Sequence, residues 1–522
     1  MTTDTPPAPR TGRQGAGDRA RRRSETAAAV QQPPWSEFRN PLPPLELLDG
    51  DGLARIEATA FRVLEELGLE FMHPDALTIL AKAGCTVDHG TGLVRMPRAI
   101  VTEYVSKAPA SFRMHARNPA RNLTIGGNFI TLGPVGGTPN CSDIVRGRRP
   151  GTFADQVEMM KLFQSLNCFH TTGGTQVEAQ DLPVPTRHLD HHRAHITLTD
   201  RVWGARGIGR DRVIDALNLA ALARGVSVEQ LVAEPSLSTI TNTNSPRKVD
   251  KELLSGLIAM AEHGQVVCVT PFTLAGAMSP ITLAGALAQQ TAEALGVLAL
   301  VQMIRPGCPM ILGGFTSNVD MKTGAPAFGT PEYVKATIIG GQIARRWKLP
   351  YRASNVCSSN AVDAQAVAES AMSLWACVMS HGNWIHHAAG WLEGGLVASF
   401  EKIVIDADMC ASLKESLSPL DVSDDALAFD AIRDVEPGGH HFGSTHTLAR
   451  FATAFHTSLT GDIRPFQTWV EAGSPDATTR AHAVYKRLVE GYVQPPLDAS
   501  RLEAVDAYIA RRRVVIATDG LV

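Results

Sequence analysis

From about residue 150 onward, short apolar or Thr-rich runs recur at regular intervals, at 168–173, 198–204, 236–242, 265–272, 308–313, 350–356, 383–389 and 402–406. Helical stretches fall between most of them, at 153–165, 210–224, 248–262, 279–304, 331–347 and 363–381. A strand followed by a helix, repeated, returns each strand parallel to the last, because a parallel partner needs a crossover of a dozen residues or more. About eight such units over about 300 residues predict a closed (β/α)8 TIM barrel, with an open doubly wound sheet as the alternative. Such barrels carry their sites at the C-terminal ends of the strands. Those ends read HTTGGT (170–175), WGARGIG (203–209), TNTNSP (241–246), TPFTLAGAMSP (270–280), LGGFTSN (312–318), SNVCSSN (354–360) and HHAAGWLEGG (386–395).

The flanking segments read differently. Residues 1–34 are rich in Pro, Ala and Arg with almost no large apolar side chain, and are expected to form a disordered tail. Residues 35–150 read as an N-terminal helical and hairpin extension. Leu53, Ile56, Ala60, Val63, Leu64 and Leu67 fall at helical spacing before Gly68, and LTIGGNFITL (123–132) reads as a hairpin. The barrel is assigned to 151–435, and 436–522 to a Gly/His loop and helices completing it.

Composition removes several function classes. A net charge of -3 gives no electrostatic case for nucleic acid. The longest apolar run, Ala292 to Ile304, is interrupted by Glu293 and Gln302 and reads as a buried helix rather than a membrane span. The 8 cysteines are scattered without a C-x-x-C pair, which fits reduced thiols in a cytoplasmic protein and no structural zinc. GARGIG (204–209) is not a dinucleotide fingerprint, TFADQ (152–156) is a helix cap, and no Walker A or G-x-S-x-G sequence occurs.

The stretch NWIHHAAGWLEGG (383–395) holds two tryptophans, two histidines and one glutamate, with no lysine or arginine. The plainer reading is a core strand and its turn. A metal site is a second reading. His386 and His387 point apart in a strand, however, and His191 and His195 in DHHRAH (190–195) lack the Glu of H-E-x-x-H, so no metal ligands are assigned. A third reading is a cradle for a ligand that brings its own positive charge. Aromatic faces and a carboxylate hold a quaternary ammonium, which offers no strong hydrogen-bond donor. Trp384, Trp391 and Glu393 suit this third reading.

Four blocks, GWLEGGLVASFEKIVIDADM (390–409), PGGHHFGSTHTLARF (437–451), VDAQAVAES (362–370) and YVQPPLD (492–498), resemble the trimethylamine methyltransferase superfamily over roughly residues 40 to 512. The resemblance implies a TIM barrel that passes a methyl group from a methylated amine to the Co(I) corrinoid of a separate protein, without S-adenosylmethionine. The chain carries no D-x-H-x-x-G corrinoid motif, so no cofactor is expected on this chain, and cobalamin would come from a partner or free. Family members using trimethylamine carry pyrrolysine near the SNVCSSN loop. Here only standard residues occur, with Cys357 about where it would fall. Members without pyrrolysine resemble glycine betaine methyltransferases, since a quaternary ammonium needs no capturing adduct. The loop ASNVCSSNAVDAQ keeps Asp363 and Gln365 of the commoner pattern GGxTDSKxxDxQ but not its Thr-Asp-Ser-Lys portion, which leaves the substrate open. The expectation is therefore a quaternary-amine methyltransferase. A tertiary-amine enzyme without pyrrolysine and a non-catalytic betaine sensor are the alternatives. Glu393 is expected to be catalytic. Trp384, His386, Trp391, Asn355, Gln365, Arg352 and His441 are expected to bind substrate, with Arg352 or Arg206 meeting a betaine carboxylate. A homo-oligomer is expected.

Overall fold

In the computed structural model, which describes residues 30–521, six of the apolar runs join Phe38–Arg39 and Phe129–Leu132 in one eight-stranded sheet. Its strands are β1 (Phe38–Arg39), β2 (Phe129–Leu132), β3 (Trp203–Gly204), β4 (Leu237–Thr241), β5 (Val266–Val269), β6 (Met310–Gly313), β7 (Tyr351–Ser354) and β8 (Trp384–His386), in the order β1-β2-β8-β7-β6-β5-β4-β3. Only β1 pairs antiparallel; the other pairings are parallel. The sheet curls, and residues 168–173 bridge its two sides. The His170 N–H donates to Leu132 O at 2.9 Å, the Thr172 N–H donates to Val202 O at 3.1 Å, and Thr171 and Val202 form a parallel bridge.

Each strand or bridging segment leads into a helix on the outside: α1 (Phe153–Ser165), α2 (Arg187–Leu198), α3 (Arg210–Arg224), α4 (Lys251–Glu262), α5 (Leu283–Ile304), α6 (Pro331–Arg346), α7 (Ala364–Met379) and α8 (Phe400–Ser416). Thr152 and Asp155 form a capping box at the start of α1, each side chain accepting from the other's backbone N–H. Helix α5 is long and apolar enough to cross a membrane, but it is buried between the sheet and the helices Gly50–Arg62, Pro74–Lys82 and Arg98–Val105. Burial on all sides explains its near-continuous apolar sequence.

Several expectations are corrected. The pair 123–132 is not a hairpin. Leu123–Gly126 pairs with Ser111–Met114, while Phe129–Leu132 turns away at Gly126 and Gly127 to join the main sheet beside β8. The main sheet therefore begins before residue 151. The run 402–406 lies within α8, whose first turn is fixed by Ser399 accepting from the Lys402 N–H. Of the expected tail, residues 1–29 lie outside the described residues. Residues 30–34 dock, with the Gln32 side-chain amide donating to Ser165 O at 2.8 Å. Next to them the Trp35 indole donates to Phe169 O at 3.0 Å.

The hairpin 111–126 closes one end of the curled sheet. Met114, Leu123 and Ile125 form a single buried cluster with Val202, Val266, Cys268, Ile311 and Trp384, whose side chains fill the sheet interior. Around the outside the chain returns in helices Ala477–Glu490, packed on α8, and Ala499–Asp519, packed on α3. Between α8 and these helices the chain exposes large apolar side chains, among them Leu420, Phe429, Phe442, Phe451, Phe455 and Ile463.

Candidate functional site

Above the apolar floor lies a cavity of about 430 Å³, lined by residues from the C-terminal ends of the parallel strands. Register determines which side chains reach it. Gly313, Arg352 and Trp384 are successive cross-strand partners on β6, β7 and β8, and Ser354 and His386 form the next row. Side chains alternate along a strand, so Arg352 and Trp384 share the inner face. Small residues make room for them. A Cβ on Gly313 would stand 2.0 Å from Thr270 Oγ1, and one on Gly133 would stand 2.9 Å from Thr171 Oγ1 and 3.5 Å from Trp384 Nε1. Glycines 136, 137, 173, 174, 204, 207 and 395 also line the cavity, and the exposed Gly137, Ile208 and Asn242 mark its mouth.

One wall is aromatic. Phe272 and Phe315 have ring centroids 5.2 Å apart, Phe315 and Trp391 6.0 Å, and His387 and Trp391 4.2 Å. Trp384 stacks on His386 at 5.4 Å. Burial pushes both His386 and His387 well below the ordinary histidine range, and the nearby Arg352 charge acts in the same direction. Both rings are therefore neutral and do not oppose a bound cation. The opposite wall carries hydroxyls from Thr171, Thr175, Ser238, Thr239 and Thr270.

Two arginines line the cavity in different states. Arg206 is paired with Glu178 at 3.0 Å, which also meets Arg187 at 3.3 Å. Arg352 is buried, with 3% exposed, and has no carboxylate within ion-pair distance among the described residues. Its Nη1 donates a long 3.4 Å bond to Gly314 O, its Nε has no acceptor among the described residues, and its guanidinium lies 5.0 Å from the Phe315 ring centre. Burial lowers its affinity for its proton, yet a guanidinium remains charged. Among the described residues, the indole N–H groups of Trp384 and Trp391 are also buried without an acceptor. Unpaired buried donors of this kind are uncommon in native proteins, and each calls for a partner.

The other expected site residues sit elsewhere. Glu393 is held by Arg148 from the hairpin 140–150, at 3.0 Å, and does not line the cavity. Asn355 is buried behind the cavity, donating to Ala388 O at 3.0 Å. Gln365 is exposed and donates to Glu369 on its own helix. His441 is exposed in the segment beyond α8. The Cys357 thiol is buried against Trp391 O at 2.9 Å, and burial pushes it up to about 12, so it stays protonated behind the wall. His191 and His195 are buried on α2, and among the described residues no group of three or more His, Cys, Asp or Glu side chains is placed to hold a metal ion. Phe272, Phe315 and Glu178 were not singled out by the sequence. The first two lie in strand-end loops, which was the signal available for them.

The loop that carries Trp391 is fixed from behind. The Gly390 N–H donates to Asp406 Oδ2 at 2.9 Å, and Asp406 Oδ1 accepts from Lys402 Nζ, which also donates to Ser370 Oγ at 2.7 Å. Gly390 has φ +98°, and a Cβ there would stand 2.5 Å from the Ile403 side chain. Only glycine suits that corner.

An aromatic cavity at the C-terminal ends of parallel strands, with neutral histidines and one uncompensated arginine, defines a small-molecule site suited to a charged, weakly hydrogen-bonding ligand. The sequence profile of the trimethylamine methyltransferase (MTTB) family matches residues 13–517, and the chain belongs to that family of methyltransferases. It is similar to a glycine betaine methyltransferase of Desulfitobacterium hafniense strain Y51, 33% identical over 472 residues, covering 90% of this chain and 98% of that one. A trimethylamine methyltransferase, MttB, of D. hafniense strain DSM 10664 / DCB-2 is 26% identical over 461 residues, covering 85% and 89%. Among solved structures, the monomethylamine methyltransferase MtmB of Methanosarcina barkeri matches with a TM-score of 0.45 and 11% identity, covering 93% and 97%.

Proposed function

We propose that this enzyme moves a methyl group from a quaternary amine bearing a carboxylate, glycine betaine or a related betaine, to the Co(I) corrinoid of a partner protein. The observation that carries the reading is Arg352, a buried cation on the cavity wall to which no described residue supplies an anion. Leaving it so costs several kcal/mol unless a ligand provides the charge. Trimethylamine or tetramethylammonium would leave that cost unrelieved; a betaine carboxylate offsets it with charge-assisted hydrogen bonds. The similarity to a glycine betaine methyltransferase supports the same reading.

A Co(I) corrinoid, when docked, supplies the nucleophile. The electron pair of the breaking C–N bond stays on nitrogen and the product leaves as a neutral amine, so no general acid is needed. The chain's task is to position the methyl group and exclude water. The aromatic wall holds the ammonium without donating to it, and the neutral histidines leave its charge unopposed. The curled sheet is read as a closed (β/α)8 barrel, with residues 168–173 as the strand between β2 and β3. The exposed apolar side chains between Leu420 and Ile463 support a homo-oligomer that covers them.

The test supplies purified protein with reduced cobalamin or a reduced corrinoid protein and a set of methylated amines. Loss of Co(I) absorbance matched by formation of N,N-dimethylglycine from glycine betaine is the expected result. Turnover of trimethylamine with none of any betaine, or a requirement for S-adenosylmethionine, would overturn the proposal.

A further inference from the structure

We infer that the cavity is polarised along the strand axis, taking the substrate carboxylate at its floor on Arg352 and the Trp384 indole N–H and the ammonium above it among Phe272, Phe315, His387 and Trp391. This deepens the betaine reading and rests on it. It also moves Trp384, which its sequence context groups with Trp391 around the ammonium, to the opposite end of the ligand.

Three observations carry the assignment. The first is height. Trp384 and Arg352 are cross-strand partners near the start of β8 and β7, in the same row as Gly313. Phe315 lies two residues beyond Gly313, and His387 three beyond Trp384. Both lie past the last residues of β6 and β8, so the box sits on the mouth side of the Gly313–Arg352–Trp384 row.

The second is chemistry at the floor. Trp384 belongs to the apolar cluster that seals the sheet interior, yet its buried N–H has no acceptor among the described residues, and the same is true of Arg352 Nε. The two residues are cross-strand partners that both line the cavity, and a carboxylate, which has two oxygens and accepts only, suits donors placed in this way. A trimethylammonium group at this level would meet a guanidinium, a like charge, instead.

The third is chemistry at the box. Phe272, Phe315, His387 and Trp391 contact one another as rings. His387 is neutral, and its Nδ1 accepts from the Gly136 N–H at 3.4 Å. The Trp391 N–H also lacks an acceptor, but its ring packs into the box and its backbone is pinned by Cys357 and, through Gly390, by Asp406. The Arg352 guanidinium stands 5.0 Å from the Phe315 ring centre, so the two ends of the site are a single ring apart. That spacing suits a betaine with few atoms between nitrogen and carboxylate. It also directs the N-methyl groups toward the mouth, the side from which a methyl acceptor can reach them.

Calorimetric titration with three probes tests the orientation: glycine betaine, tetramethylammonium as the cation alone, and 3,3-dimethylbutanoate as the anion with carbon in place of nitrogen. Trp384→Phe keeps the ring and removes the donor. It should weaken glycine betaine and dimethylbutanoate by about fivefold to tenfold while leaving tetramethylammonium within about twofold. Arg352→Gln should act in the same direction and more strongly. Phe315→Leu should weaken tetramethylammonium more than dimethylbutanoate. If Trp384→Phe weakens tetramethylammonium as much as glycine betaine, Trp384 belongs to the ammonium box and the orientation is wrong. A wild-type protein that binds glycine betaine no better than tetramethylammonium would instead refute the betaine reading. Melting temperatures of the variants separate both results from misfolding, and Trp384→Phe, the mildest change, keeps the test decisive if Arg352→Gln does not fold.

Discussion

Glu393 shows how far single residues could be read from the sequence. A carboxylate between Leu392 and two glycines has to be solvated or paired, and the structure pairs it with Arg148, 245 residues earlier in the chain. No local pattern shows a partner at that distance. Trp384, Trp391, His386 and Arg352 line the cavity because β7, β8 and the loop after β8 carry them there, and the strand-and-helix rhythm of the chain indicates where those strands gather. Glu393→Gln should change glycine betaine affinity by less than about twofold, because it removes a part-exposed ion pair worth about 0–1 kcal/mol. Trp391→Ala should weaken it by about tenfold or more through loss of a desolvated cation–π face. Calorimetry on the two variants side by side checks both; a large Glu393→Gln effect on glycine betaine with none on its carbon isostere would restore Glu393 to the site. Stability should also depend on buried histidines. Burial holds His170 and His191 down to about 3 and His195 down to about 4, from an ordinary value of 6.5. The unfolded chain takes up protons on these rings as pH falls below 6.5 and the folded chain does not. Their contribution is therefore complete above 6.5 and is lost as pH drops from 6.5 to about 4 for His195 and to about 3 for His170 and His191, at up to about 1.4 kcal/mol per pH unit for each ring. Urea midpoints should fall clearly between pH 7.5 and pH 5, and a flat profile would contradict this.

Elements were more legible than their boundaries. Helices α1 and α3 run over the residues that the spacing predicts. The run KIVID (402–406) reads as a strand because it is β-branched and apolar, but it is helical. Most residues of the first half of α8 are buried, Glu401, Lys402 and Asp406 included, so the helix shows no amphipathic stripe to identify it. Residues 129–132 read as half of a hairpin because two short apolar runs flank Gly126-Gly127-Asn128. The long-range pairing with β8 overrides that local signal. Within α8, Lys402 and Asp406 form an ion pair with neither side chain exposed. Asp406→Asn should be strongly destabilising, by about 3–5 kcal/mol, since it strands the lysine charge. Lys402→Met with Asp406→Asn keeps an acceptor for the Gly390 N–H and should recover much of that loss. Lys402→Met with Asp406→Leu removes the acceptor and should raise KM for the methyl donor more than the first pair does. Denaturant midpoints and steady-state kinetics read the two effects separately.

At the scale of the whole molecule, residues 30–36 act as a strap. Gln32 and Trp35 dock on the turn after α1, and Lys414 Nζ donates to Ser36 O at 2.7 Å. Removing residues 1–36 should lower the melting temperature by several degrees, consistent with the loss of about 1–2 kcal/mol of packing and hydrogen bonds. An unchanged melting temperature would show the strap to be dispensable. If the proposed homo-oligomer covers them, mutating Phe442, Phe451 and Phe455 to Ser should leave each chain folded while reducing its assembly state, as read by light scattering. The closed floor built by Met114, Leu123 and Ile125 has its own consequence for traffic. On the proposed function a corrinoid partner docks at the open end of this chamber, and seated there it blocks the way in. The methyl donor has to enter before the partner docks, and the demethylated product has to wait until it departs. Turnover is then a compulsory-order cycle: saturating partner should slow capture of the methyl donor, and each docking event should deliver one methyl group and no more.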